Sequence, residues 1–204
     1  MPSNKDDEQI LVIKSEILFS KGKWQGLKTD NLDYYIDLIK KEGEFKRRGD
    51  MEGNPTYQQV IPYMIFSFED KFFAYKYIKN AGEKRLVNNN YQLGVGGHMN
   101  PIDGKKGNIL DFGMMREWNE EVDFKGKIIS KKLVGIVKDE TTSVEEDHVG
   151  LVYHFVGDST DIKIKETDKM EGMLIDLKDL SADRTSSSPW MRIVYEEYLK
   201  KING

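Results

Sequence analysis

The sequence predicts an α+β protein built as an α/β/α sandwich. Three observations carry that prediction. Residues 60–68 and 72–78 are β-branched and aromatic runs joined by the polar turn Glu69-Asp70-Lys71, the pattern of a hairpin. Residues 109–122 place Ile109, Phe112, Met115, Trp118 and Val122 at the three-four spacing of one helical face. Further strand-like runs follow, and an amphipathic stretch, residues 190–201, closes the chain.

In chain order, residues 10–19 are rich in Ile, Leu and Val and predict one or two short strands. Residues 31–41 carry Leu32, Tyr35, Ile36, Leu38 and Ile39 at helical spacing, with Asp30 or Asn31 as the cap. Residues 43–56 mix charge with Gly and Pro and read as a connection, which makes residues 1–55 an N-terminal arm on a main domain of residues 56–204. After the hairpin, Asn88-Asn89-Asn90 predicts a turn, and Leu93-Gly94-Val95-Gly96-Gly97-His98 a glycine-rich strand end. A loop with Pro101, Gly104 and Gly107 leads to Asn108, which caps the helix with Asp111 three residues on. Residues 131–137, 149–156 and 173–177 predict strands. Residues 139–147 form an acidic loop between the first two, and residues 181–189 read as a loop from their Ser and Asp content.

Composition narrows the chemistry. The chain has 204 residues, 35 carboxylates against 31 Lys and Arg, a net charge of −4, no cysteine and three histidines. That excludes disulfide scaffolds, thiolate metal sites and a cysteine nucleophile. A pI near 5.5 argues against a nucleic-acid surface. No apolar run reaches the roughly 20 residues that span a bilayer, and the acidic start lacks the basic and apolar parts of a secretory signal, so the cytoplasm is the expected compartment. A homodimer is the base-rate expectation for assembly.

One cluster stands out. Glu117, Glu120 and Glu121 lie at i, i+3 and i+4, on one side of the predicted helix and off its apolar stripe. Like charges at that spacing repel by a few tenths of a kcal/mol per pair, roughly. A hard divalent cation reverses the sign, because Mg²⁺ takes carboxylate oxygens and substrate phosphate as ligands. A solvated acidic face is the bland alternative. The glycines Gly96 and Gly97 shortly before the helix favour a site, since bare backbone there lets a phosphate or metal approach closely.

These residues resemble the Nudix hydrolases. That family carries Gly, five residues, Glu, seven residues, Arg-Glu, an apolar residue, any residue, Glu-Glu, any residue, Gly, apolar. Arg116-Glu117-Trp118-Asn119-Glu120-Glu121-Val122-Asp123-Phe124 is similar to the second half, with Asp123 for the usual Gly, and Gly96-Gly97-His98 to the opening. The segment from Gly97 to Arg116 is longer by about five residues than the pattern. Counted back eight from Arg116, the first Glu falls on Asn108. Further stretches (Gln59 to Tyr63, Glu83 to Leu86, Gly94 to Asp103 and the arm from Val12 to Gly26) resemble a branch described only as predicted phosphoesterases, with the same lengthened box.

The resemblance implies a Nudix-type sandwich with a mixed sheet and an N-terminal extension. It implies a hydrolase that uses Mg²⁺, with Mn²⁺ as a substitute, on a small nucleoside diphosphate derivative, and neither a membrane nor a large nucleic acid as partner. Carried over by position, Glu117, Glu120, Glu121 and the Gly97 carbonyl would bind the metal. Glu117 and Glu120 would serve catalysis, and Arg116 would orient the helix carboxylates with its rigid fork. His98 and Arg85 would meet the substrate. A later loop acid, drawn from Glu145, Glu146, Glu166 and Glu171, would complete the site. Tyr63, Phe66, Phe73, Tyr75 and Trp190 read as core rather than as a base-stacking platform. Two other readings are a Nudix-fold nucleotide-binding module without hydrolysis, and a diphosphate-lipid isomerase. The missing cysteine disfavours the isomerase.

Overall fold

The computed structural model describes residues 5–78, 91–104, 107–142, 145–180 and 188–202. The predicted Asn88-Asn89-Asn90 turn and most of the 181–189 loop lie outside these residues. The first half of the chain contains β1 (Gln9–Lys14), α1 (Ser15–Leu18), β2 (Gly26–Lys28), α2 (Leu32–Glu42), β3 (Glu44–Arg47), α3 (Arg48–Met51), β4 (Tyr57–Phe68) and β5 (Lys71–Tyr77). Then follow α4 (Pro101–Gly104), α5 (Ile109–Glu121), β6 (Val122–Phe124), β7 (Ile128–Lys138), β8 (His148–Gly157), β9 (Ile162–Ile164) and β10 (Met170–Asp176). The closing helix starts as α6 (Pro189–Val194), passes through a π-helical turn at Tyr195–Leu199 and ends as α7 (Lys200–Ile202).

The large sheet runs β10-β5-β4-β8-β7-β2, and β1 joins it by pairing with both β3 and β4. Among the described residues only β4 and β8 pair in parallel, so the sheet is mixed as expected. β6 and β9 form a separate two-stranded sheet. Alternation along β4 sorts its side chains to two cores. Val60, Met64 and Phe66 face the cluster that holds Leu110, Met114 and Trp118 of α5. Ile61, Tyr63 and Ile65 face Trp190, Met191 and Val194 of α6. Helices therefore cover both faces, and the sandwich is observed. Tyr63, Phe66, Phe73 and Trp190 are all buried. No helix among the described residues is long and apolar enough to cross a membrane.

Several local expectations change. Strand character in residues 10–19 ends at Lys14, where α1 takes over. The connection at 43–56 contains β3 and α3: Glu44–Arg47 pairs with β1, but with one apolar residue among three charged ones it is too short and too charged to read as a strand. The run 93–98 forms no named strand. It lies along β4 through one bridge, in which the Met64 and Val95 amides and carbonyls exchange hydrogen bonds of 2.8 and 3.0 Å.

The buried stripe of α5 is also rotated from its expected phase. Leu110, Gly113, Met114, Glu117 and Trp118 are buried, while Phe112 is 40% exposed. Gly113 is the reason. A Cβ there would stand 2.9 Å from Met99 Cγ, so the helix approaches the preceding loop through its smallest residue. That rotation carries Glu117 inward, off the solvated face where spacing put it.

Candidate active site

Two glycines set the frame. At Gly96 a Cβ would overlap the Pro62 carbonyl oxygen of β4, and at Gly97 it would overlap the Glu117 carboxylate. Backbone without side chains thus fills the gap between the central strand and α5, and Gly97 lies directly against Glu117. α5 starts where Asn108 Oδ1 accepts from the Leu110 amide at 3.3 Å, and Asn108 Nδ2 donates to Asp111 Oδ2 at 2.6 Å.

Arg116 organises the carboxylates. Its Nη1 donates to Glu117 Oε1 at 2.7 Å and to Glu120 Oε2 at 2.9 Å. Its Nε donates to Asp103 Oδ1 at 3.0 Å, and its Nη2 reaches Asp103 Oδ2 at 3.1 Å, the His98 carbonyl at 2.7 Å and Asn100 Oδ1 at 2.7 Å. Burial opposes the guanidinium charge, but the bonds from Asp103 and Glu117 outweigh it and raise its pKa. Asn108 caps α5, and the acid that Arg116 binds is instead Asp103, with five residues between it and Gly97. Spacing counted back from Arg116 does not reach Asp103, whereas spacing counted forward from Gly97 does.

Glu117 is 7% exposed. Burial pushes its pKa up to about 7 against the pull of Arg116, and repulsion from Glu120 and Glu121 adds to the rise. Burial raises Glu121 as well, with Glu166 and Glu120 contributing. Glu120 is the most open of the three, with its side chain 57% exposed. Among the described residues no three His, Asp or Glu side chains converge into a ready-made cation site. The geometry gives the reason: Arg116 holds both Glu117 and Glu120.

His98 follows Gly97, and its Nε2 is 2.8 Å from Gln59 Oε1. Gln59 Nε2 donates to the buried Asp147 at 3.2 Å, which fixes the amide so that the imidazole must be the donor. Burial, with Arg48 nearby, holds the His98 pKa down at about 3. Arg85 lies outside the described residues.

Of the later acids, Glu145 lines a cavity of about 240 Å³ with Gly96, Gly97, His98, His148 and Trp190, and burial raises its pKa. Glu166 acts on Glu121 by charge but is itself paired with Lys169 at 3.2 Å. Glu171 pairs with Lys76 at 3.3 Å. Glu146 contributes its carbonyl to Lys138 at 2.7 Å. The backbone at Glu145 and Glu146 is tied to the end of β7. Lys138, fully buried, donates to the carbonyls of Asp139, Glu145 and Glu146, and Asp139 in turn binds Gln25 and Thr141. Asp139 and Asp147, at the two ends of the 139–147 loop, are buried, 1% and 2% exposed.

No protein-family model matches the chain. It is 30% identical over 190 residues to protein YmaB of Bacillus subtilis (strain 168), covering 88% of this chain and 90% of that one. Among solved structures it is similar to Tm1382, described as a candidate Nudix hydrolase. That match has a TM-score of 0.80 at 28% identity and covers 95% of this chain and 100% of the other.

Proposed function

We propose, for a chain that belongs to the family of Bacillus subtilis protein YmaB and has the Nudix hydrolase fold, a divalent-cation-dependent hydrolysis of the diphosphate linkage in a nucleoside diphosphate derivative, by attack of water at phosphorus. One observation carries this reading. The buried Glu117 carboxylate lies against the side-chain-free backbone of Gly97, with Glu120 and Glu121 beside it on α5.

Glu117, Glu120, Glu121 and the Gly97 carbonyl are the groups that would hold Mg²⁺ or Mn²⁺. They fit such an ion in chemistry: all are hard oxygen donors, the cradle at Gly97 is one that a Cβ would fill, and Glu117 is a buried acid whose charge lacks full compensation. When bound, the cation offsets charge on the diphosphate and makes water more acidic. The chain supplies the rest. Arg116, anchored by Asp103, fixes the side chains of Glu117 and Glu120. The Glu120 side chain is bonded to Arg116 through Oε2 and is 57% exposed, and it would take the proton of the attacking water. His98, neutral and tied to Gln59, faces the substrate as an uncharged wall of the cavity with Glu145.

A pooled screen of nucleoside diphosphate derivatives with Mg²⁺ tests this. Turnover is expected, with its loss in Glu120→Gln while the fold is kept. Tight binding without product over long incubation would favour a nucleotide-binding module instead.

A further inference from the structure

We propose that the N-terminal strand is part of the catalytic apparatus: Glu8 and Gln9 orient the Asn100 amide, and Asn100 in turn positions Arg116. The inference rests on the hydrolase reading above and adds residues that no box pattern contains.

The geometry is a chain of short hydrogen bonds. Asn100 Oδ1 accepts from Arg116 Nη2 at 2.7 Å. On its other side Asn100 Nδ2 donates to Glu8 Oε1 at 2.7 Å and to the Gln9 carbonyl at 3.2 Å. Both of those partners only accept, and Arg116 only donates. A reversed amide would aim N–H at the guanidinium and oxygen at a carboxylate. The N-terminal strand therefore dictates which end of Asn100 meets Arg116. The Asn100 backbone N–H also donates to Asp103 Oδ2 at 2.9 Å, so one residue ties the strand to both members of the Arg116–Asp103 pair.

The strand is itself secured at this point. The Leu11 amide donates to the Met99 carbonyl at 2.8 Å, next to Asn100. The Arg48 amide donates to the Glu8 carbonyl at 2.8 Å, and Arg48 Nη1 lies 3.4 Å from Glu8 Oε2. β1 is then continuous with the large sheet through β4. Asn100 is a positioning residue in this scheme: its hydrogen bonds go to Arg116, Asp103, Glu8 and Gln9, and it acts through Arg116. Partners of this kind typically change metal affinity or activity by roughly 10- to 100-fold.

The test compares full-length wild type with Asn100→Ala, Glu8→Ala and Glu8→Gln. The readouts are kcat and KM on the substrate found in the screen, and Mn²⁺ affinity by calorimetry with the metal alone. Asn100→Ala is expected to lower kcat about tenfold and weaken Mn²⁺ binding, with KM within about twofold. Glu8→Ala, which leaves the Gln9 carbonyl in place, is expected to lower kcat about threefold. Glu8→Gln keeps an acceptor for Asn100 and is expected to restore the wild-type values, although it loses the charge facing Arg48. Wild-type kcat and Mn²⁺ affinity in Asn100→Ala would overturn the proposal, and so would equal losses in Glu8→Ala and Glu8→Gln. A wild type that neither binds Mn²⁺ nor turns over any diphosphate would instead overturn the hydrolase reading itself, and the inference with it.

Discussion

Arg116 and Asp103 face each other fork to fork, Nε to Oδ1 at 3.0 Å and Nη2 to Oδ2 at 3.1 Å, with Asp103 only 3% exposed. This pair ties the segment that follows Gly97 to α5 by two points, which leaves Nη1 of the same guanidinium to hold Glu117 and Glu120.

Asp103→Ala removes that anchor and leaves Arg116 with Glu117, Glu120, Asn100 and the His98 carbonyl. Breaking a buried pair costs about 3–5 kcal/mol, and the remaining acids put the expected loss near the lower figure. Urea unfolding should show it as a lower midpoint with an unchanged slope. A midpoint within experimental error of wild type would mean that the pair does not organise the helix.

Gly97→Ala places a methyl group where the Glu117 carboxylate now lies. The carboxylate must move, and a shift of about 1 Å at a reacting centre costs on the order of 100-fold in rate. Circular dichroism should remain that of the wild type while turnover and Mn²⁺ binding fall. Full activity in this variant would remove Gly97 from the site.

His154 gives a pH signature remote from the acidic helix. Its ring is wedged between Ser67 Oγ at 2.8 Å and Tyr198 Oη at 2.9 Å, and burial lowers its pKa to about 4 from an ordinary 6.5. The unfolded chain therefore binds the proton more readily than the folded one between these values. Its contribution to stability is present above pH 6.5 and is lost as pH falls toward 4, at up to about 1.4 kcal/mol per pH unit. The difference in stability between wild type and His154→Gln, measured by urea unfolding at pH 7, 6, 5 and 4, should shrink accordingly. A difference independent of pH would show that the ring titrates normally.

Lys138→Met strands three carbonyl groups that the ammonium now satisfies, those of Asp139, Glu145 and Glu146. Relief of the buried charge offsets part of the cost, so a net loss of about 2 kcal/mol is expected. Amide exchange should quicken at His148, whose N–H donates to the Glu145 carbonyl at 3.2 Å, and stay unchanged in β10. Unaltered exchange at His148 would mean that the loop holds itself.

Much of this architecture is legible in the sequence, for reasons that individual residues make plain. The β4–β5 hairpin announces itself because two runs of apolar, aromatic and β-branched residues flank a polar turn at Glu69. α5 does so because Asn108 and Asp111 mark its start. Where residue type and burial part company, reading fails. β2 and β3 are too short and polar to stand out, and they form only because β7 and β1 offer open edges. The phase of α5 is set by Gly113, a residue that carries no hydrophobic signal. The three glutamates were legible as a group but not their differing burial, and the network of Asp103, Asn100 and Glu8 joins residues far apart in sequence. No local pattern encodes that.

The central claim is that Glu117, Glu120, Glu121 and the Gly97 carbonyl form a divalent-cation site. Anomalous diffraction from crystals soaked in Mn²⁺ tests it most directly. An anomalous peak within coordination distance of these carboxylates is expected, with Arg116 still on Asp103. Strong Mn²⁺ peaks elsewhere and none at these carboxylates would contradict it.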